Sequence, residues 1–399
     1  MTAPSSPGRL PDVTVTQRGQ RRIATRHPWI FADDVAASNG AAHGDMVRVR
    51  DRAGSVLGIA FWSKTSKISL RMVSGTDVLP DPSFWASRVD DALRLRGSAI
   101  VSWNAKRLIF GEGDGVPGLV ADLYGTHLVV QVLTAGTERI VEHVVSALRE
   151  RLPVDSVLAR NDPSVRTLEG LPREVRQLSG TTPDEIVIDE DGIRYAVDPW
   201  RGQKTGAFLD QRQNRVASAA YARGRVLDAF SYHASFALHA ARTATEVVAV
   251  DASGDALSRG RANAARNGAT NITFVEANAF LDLREREQRG EQFDLVMVDP
   301  PAFAKSRTDV AAARRGYKEI NLRAFRLLRP GGLVITSSCS YNLDEPSFEG
   351  ILREAAGDAG RDVVLCERRG QSADHPVRLG FPEGRYLKCF VLRDASGAP

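Results

Sequence analysis

The chain has 399 residues but only three cysteines, Cys339, Cys366 and Cys389. So few thiols, and an odd number, cannot make a disulfide framework, and a reducing, cytoplasmic compartment is expected. No apolar run approaches the roughly 18 residues needed to cross a bilayer, so no membrane-spanning helix is expected. The opening stretch MTAPSSPGRLPD has no apolar segment behind a basic one, and no secretory signal is expected. There is no internal repeat, and no low-complexity segment away from the ends. A net charge of +4 is too small to select a partner by itself.

What is present is ordinary for a globular protein: 43% hydrophobic and 26% charged residues, which argues against a disordered or fibrous chain. The length suggests two to three domains of about 150 residues. The charge is unevenly placed. Residues 1–75 hold eleven Lys or Arg against five Asp, leaving a small acidic surplus on the other 324. Arg21, Arg22, Arg26 and Lys64 belong to this basic set. Such a patch suits phosphate contacts, because each neutralised phosphate releases counterions. A solvated basic face is the alternative.

Three regions differ in pattern. In residues 1–78, the runs MVRVR, VLGIAFW and KISLRMV alternate like half-buried strands, and a small β-barrel is the simplest way to close them. VLPDPS breaks the chain, and residues 79–190 read as an α+β unit. It opens with an amphipathic helix near 84–97. Strands follow with turns at GEGDG, VPG and YGT, then the helical run GTERIVEHVVSALRERL. A hairpin is expected at Asp191-Gly192. In 191–399, RVLDAF, EVVAVD, NITFVE, FDLVMVD and GGLVITSSCS are short β-branched runs separated by helical patterns. This is the signature of a parallel, Rossmann-like α/β sheet. Asn267-Gly268 and Pro330-Gly331-Gly332 are expected to end helices.

Ligands of such sheets bind beyond the carboxyl ends of the strands. Those ends carry Asp228, Asp251-Ala252, Asn278-Ala279 and Asp299. The turn after the first strand begins Phe230-Ser231 and lacks G-x-G-x-x-G, which speaks against a dinucleotide. No Walker lysine motif follows a strand either. S-adenosylmethionine, with one adenosine and no phosphate, fits better. Each acid alone could equally be a helix cap.

Asp299-Pro300-Pro301 places a carboxylate before a rigid turn, where it can hold the amine of a flat base. The next strand ends Thr336-Ser337-Ser338-Cys339-Ser340. A thiol there allows covalent catalysis. Carbon 5 of cytosine is too weak a nucleophile to take a sulfonium methyl directly, and thiolate addition to carbon 6 activates it. Cys366 and Cys389 sit in apolar strand patterns (DVVLCE, YLKCFVL) and are expected to be small buried hydrophobes. No metal site is expected.

The stretches RHPWIF, LIFGEGDGVPGLVADLYG, GQKTGAFLDQRQNR, VLDAFSYHASFALHAAR, DPPAFAKS, RGYKEIN, SSCSYNL, ADHP and PEGRYLK together resemble the bacterial large-subunit ribosomal RNA cytosine-5 methyltransferases, over nearly the whole length. The resemblance implies an N-terminal PUA domain, a central α+β domain and a Rossmann-like catalytic domain. It implies S-adenosylmethionine as cofactor, 23S rRNA as substrate, Cys339 as nucleophile and Asp299 at the target base. It also implies that Lys204, Thr205, Phe208, Asp210 and Gln211 line the cofactor pocket, and it admits a homodimer. The residues alone read that segment as a Gly-punctuated structural loop. One departure stands out: Ala234-Ser235 replaces the usual Gly-Gly, where glycine lets backbone approach the cofactor.

Two rival functions stay open: an N-methyltransferase acting on a nucleic-acid base through Asp-Pro-Pro alone, and a non-catalytic RNA-binding assembly factor. His375 could orient a phosphate or base, or merely follow an Asp-capped turn. His233 reads as a loop residue. Tyr317 and Lys318 are candidate RNA contacts or helix-surface residues.

Overall fold

The alternation in MVRVR has a direct physical outcome: Val47 and Val49 are fully buried. Arg48 and Arg50 instead pair with Asp77 at 2.5 Å and Asp12 at 2.8 Å. The computed structural model describes residues 10–303 and 309–396. These fall into two compact units. One comprises Met1–Ile186, Val197–Phe208 and Ala373–Gly384, and the other Val187–Ala196, Leu209–Ser372 and Arg385–Pro399.

The first unit contains two sheets. Strands β1 (Asp12–Val15), β2 (Trp29–Phe31), β3 (Val35–Ser38), β4 (Met46–Arg50), β5 (Val56–Trp62) and β6 (Ile68–Ser74) form one, in the order β2-β6-β5-β4-β1-β3. A helix, Gln17–Ala24, interrupts the strands that the pattern predicts. It has no apolar stripe to announce it. Thr16 caps it by accepting from the Gly19 amide, and Arg18 and Arg22 fasten it to the fully buried Asp34.

The second sheet of this unit has β7 (Ala105–Phe110), β8 (Leu119–Tyr124), β9 (His127–Val132), β10 (Ser156–Asn161) and β11 (Glu174–Ser179), in the order β11-β10-β9-β8-β7. The preceding helix, Pro82–Val101, starts where Asp81 accepts from the Phe84 amide and proline fills the first turn. GEGDG, expected to be a tight turn, forms a short helix, Gly111–Asp114, because the Asp114 carboxylate folds inward onto the buried Arg96.

In the second unit, β12 (Ile186–Glu190) and β13 (Ile193–Val197) form the expected hairpin. Asp191 and Gly192 both have positive φ, as a two-residue hairpin turn requires. The main sheet contains β14 (Arg225–Ala229), β15 (Glu246–Asp251), β16 (Ile272–Glu276), β17 (Phe293–Val298), β18 (Leu328–Ser338), β19 (Val363–Arg369) and β20 (Lys388–Asp394). Their order is β16-β15-β14-β17-β18-β20-β19. The five strands from β14 to β18 run parallel, and β20 and β19 close the sheet antiparallel. The chain steps outward from β14 to β16 and then returns to the other side of β14. This reversal opens a crevice at the carboxyl ends of β14 and β17.

Two expectations need correction. Pro330-Gly331-Gly332 does not end a helix. The helix Val310–Arg326 stops earlier, and Pro-Gly-Gly lies inside β18 at a register shift against β17. Cys389 is buried as expected, but Cys366 is exposed, because the edge strand β19 alternates and this thiol falls on the outward face.

Candidate active site

The loop leaving β14 is held in an unusual backbone shape. Phe230, Tyr232 and Ala234 all have positive φ, between 52° and 67°. Each such non-glycine residue costs about 1 kcal/mol or more. Hydrogen bonds impose the shape: the Ser231 amide donates to Val250 O at 2.9 Å and the Tyr232 amide to Asp251 Oδ2 at 2.8 Å. Ala234 thus occupies a conformation that glycine adopts without penalty. Asp228, fully buried, accepts from the Ala237 amide at the start of the next helix. Burial, with Asp299 and Asp251 nearby, holds its carboxyl well above the usual carboxylate range.

Asp251 lies half-buried at the end of β15, with exposed Ala252 after it, and its Oδ1 accepts from Ser253 N. Asn278 caps the helix Ala279–Gln288 through the Phe280 amide, so the cap reading holds for this residue; Ala279 is buried behind it. Aromatic rings continue from the loop toward β17: Phe230 to Phe280 at 5.9 Å, Phe280 to Phe303 at 5.7 Å and Phe303 to Tyr317 at 4.7 Å. Of the DPPAFAKS stretch, residues 304–306 lie outside the described residues.

The ends of β17 and β18 come together through one side chain. Gln211, buried, donates from Nε2 to Asp299 Oδ1 at 2.8 Å and to Ser337 Oγ at 3.2 Å. Asn214 donates to Gln211 Oε1 and fixes which end of the amide faces Asp299. Val298 and Thr336 are register partners, so Asp299, the first residue beyond β17, comes out beside Ser337, the next residue of β18. Cys339 follows the last residue of β18, half-buried and not in a disulfide. The Tyr317 hydroxyl, buried on the neighbouring helix, bonds Ser340 Oγ at 2.9 Å. Cys389 lies across from Ser337 with its thiol pushed up to about 12 by burial, a poor nucleophile.

The remaining candidates lie as follows. Asp210 accepts from the Tyr386 hydroxyl at 2.6 Å, and its carbonyl accepts from Ser372 N. Lys204, Thr205 and Phe208 belong to the first unit. Thr205 is fully buried there, donating to Asp122 at 2.5 Å and sharing a hydrogen bond with Tyr124. Lys204 sets its ammonium over the Phe208 ring. Arg21, Arg26 and Lys64 are exposed, whereas Arg22 pairs with Asp34 and lies over Phe31. His375 is buried in the first unit, its Nδ1 on Asp374. Tyr317 is wholly buried, and Lys318 is on the helix surface beside Asp358.

Tyr317, expected as an RNA contact or a helix-surface residue, is instead buried against the turn at Ser340. Lys388 escapes the pattern reading, although it had a visible signal, a lone charge in the otherwise apolar run YLKCFVL. Among the described residues, no group of His, Cys, Asp or Glu could hold a metal, and no helix is long and apolar enough to cross a membrane.

Residues 171–377 match the family of S-adenosylmethionine-dependent methyltransferases, and residues 13–75 match a PUA-like domain. A protein named ribosomal RNA large subunit methyltransferase I from Aeromonas salmonicida is 40% identical over 94% of this chain and 97% of its own length. The protein of that name from Photobacterium profundum is 41% identical, covering 93% and 96%. A Streptococcus mutans structure described as a SAM-dependent methyltransferase shares the fold at 22% identity, with a TM-score of 0.82 over 96% of this chain and 99% of that one. A methyltransferase structure complexed with SAH does so with a TM-score of 0.84, the same identity and the same coverage.

The second unit has features that suit S-adenosylmethionine. Ser231 Oγ, buried in the strained loop, has no hydrogen-bond partner among the described residues. The acid at the end of β15 and the aromatic row from Phe230 to Phe303 suit a ribose and a flat base.

Proposed function

We propose that this chain, which belongs to the S-adenosylmethionine-dependent methyltransferase family, methylates carbon 5 of a cytosine in large-subunit ribosomal RNA. Its cofactor, S-adenosylmethionine, supplies an electrophilic methyl group when bound. The loop Phe230–Ala234, with Asp228, Asp251 and Asn278-Ala279, would hold it, together with Asp210 and Gln211. Lys204, Thr205 and Phe208 are carried over as pocket residues from the resemblance alone.

The observation that carries the reading is Cys339, a half-buried thiol one residue beyond β18, the strand paired with the β17 that leads into Asp299. Asp299, oriented by Gln211, accepts a hydrogen bond from the exocyclic amine of the base. The Cys339 thiolate adds to carbon 6 and the ring's electron pair moves to carbon 5, which takes the methyl. A base then removes the carbon-5 proton, and the carbon–sulfur bond breaks to restore the ring. Carbon 6 is inaccessible in a paired stack, so the target cytosine is single-stranded or extruded. Arg21, Arg26 and Lys64 would contact phosphates and set register without reading sequence.

Cys339→Ser decides the chemistry. The expected outcome is loss of 5-methylcytosine from the target RNA by nucleoside mass spectrometry. RNA containing 5-fluorocytosine should trap a covalent adduct with the wild type but not with this variant. Methyl transfer by Cys339→Ser at near wild-type rate would overturn the reading in favour of an N-methyltransferase.

A further inference from the structure

We propose that Lys388 is a positioning residue for Cys339, whose buried ammonium both pins the turn that carries the thiol and sets a positive charge beside it. The inference rests on the reading of Cys339 as nucleophile.

Lys388 opens β20 as the antiparallel register partner of Ser338, the residue before Cys339. It is 3% exposed. Its Nζ donates to Ser340 O at 2.8 Å, Leu343 O at 2.7 Å and Tyr386 O at 2.8 Å. An ammonium has three donors and no acceptor, so backbone carbonyls use its full capacity. Two of those carbonyls belong to the turn just after Cys339, and the third to Lys388's own segment. The lysine therefore ties the end of β18 to β20.

Three dipoles satisfy the hydrogen bonds, but no carboxylate cancels the charge by contact: among the described residues Lys388 makes no ion pair. Asp344 and Glu345, at the start of the helix Glu345–Asp358, are within electrostatic reach of it, and so is Cys339. Burial pushes the ammonium down to about 8, while those three groups draw it back up. Among the described residues, the Tyr317 phenol also faces the turn, bonded to Ser340 Oγ, and burial makes it hold its proton more tightly than usual. The Asp299 carboxylate shares Gln211 with Ser337, two residues before Cys339. Carboxylates around a thiol disfavour its thiolate, and the Lys388 ammonium, within electrostatic reach of Cys339, acts in the opposite sense. A cation close to a thiol favours the thiolate, the reactive form. Burying a lysine works against its charged form, and a purely mechanical clip could have been built from neutral donors.

The test is the pH profile of Cys339 alkylation by iodoacetamide, read peptide by peptide by mass spectrometry in the full chain without RNA or cofactor. Exposed Cys366 is the internal reference. In the wild type, Cys339 should reach half-maximal alkylation at a lower pH than Cys366. Lys388→Met should move the Cys339 profile up by about one pH unit, roughly tenfold slower at neutral pH, and leave Cys366 where it was. Lys388→Arg, which keeps the charge, should stay nearer the wild type. If the Lys388→Met profile superimposes on the wild type, the inference is overturned while the nucleophile reading stands. If that variant does not fold, the wild type decides: Cys339 reacting at or above the pH of Cys366 overturns it. Methyl transfer by Cys339→Ser would instead remove the nucleophile reading, whatever the alkylation profile.

Discussion

Gln211 donates through Nε2 to Asp299 Oδ1 at 2.8 Å, and the same nitrogen reaches Ser337 on the adjacent strand. The amide therefore holds the carboxylate that would meet the base and the strand end that leads to Cys339. Gln211→Leu removes a hydrogen bond to a charged acceptor, worth about 1.5–3 kcal/mol. Methyl transfer should fall about 10- to 100-fold in kcat while the fold is retained by circular dichroism. Gln211→Glu sets a second carboxylate against Asp299 and should lose activity at neutral pH, recovering part of it on acidification. Steady-state rates at pH 6 and 8 check both variants.

Thr205 invites a different outcome. Its hydroxyl is enclosed between Asp122 and Tyr124, and Asp122 is itself held by Arg107 through two contacts of 2.7 Å. Thr205→Val leaves a buried carboxylate one donor short, a loss of about 1–3 kcal/mol. The expected result is a melting temperature lower by several degrees, with the S-adenosylmethionine Kd of the folded variant, by isothermal titration, within about threefold of wild type. A large change in Kd at unchanged stability would instead support the direct pocket role that the resemblance implies.

The basic patch separates by partner. Arg22 is tied to buried Asp34, whereas Arg21, Arg26 and Lys64 are exposed. Replacing these three with alanine should flatten the plot of log affinity against log salt for RNA by about 2, since each phosphate contact on a single strand contributes about 0.7. Melting temperature should hardly move. Arg22→Ala should do the reverse, lowering stability through Asp34 with little effect on the salt slope. Filter binding from 50 to 300 mM salt, beside thermal melts, separates the two.

Much of this architecture is legible in residue pattern, because a parallel sheet covered on both faces must be written in β-branched runs. The five runs from RVLDAF to GGLVITSSCS became β14 to β18, and Asp191-Gly192 turned where its φ tolerance allows. The helix Gln17–Ala24 was illegible because ion pairs to Asp34 hold it down, and periodicity does not report those. At the site, Asp299 and Cys339 could be placed from strand ends alone. Gln211 and Lys388 could not, since their roles depend on which strands become neighbours: β18 lies between β17 and β20. That adjacency is a property of topology, and no local window contains it.

His233 gives the fold a pH dependence of definite sign. Its ring is buried between Tyr195 and Tyr232, and neither nitrogen has a hydrogen-bond partner among the described residues. Burial, with the Arg215 and Arg259 charges, pushes it down to about 3. The unfolded chain takes up this proton near pH 6.5, and the folded chain resists until about pH 3. The unfolded state therefore binds more protons across that window, and stability is intact above pH 6.5 and declines as pH falls through it. At pH 5 the loss from this one group is about 2 kcal/mol. His233→Phe fills the same position between the two tyrosine rings with no proton to bind and no hydrogen bond to lose. Thermal melts at pH 7.5 and pH 5 should therefore show a smaller acid-induced drop for the variant than for the wild type. Equal drops in the two proteins would mean that the ring is charged, or reached by water, in the folded state.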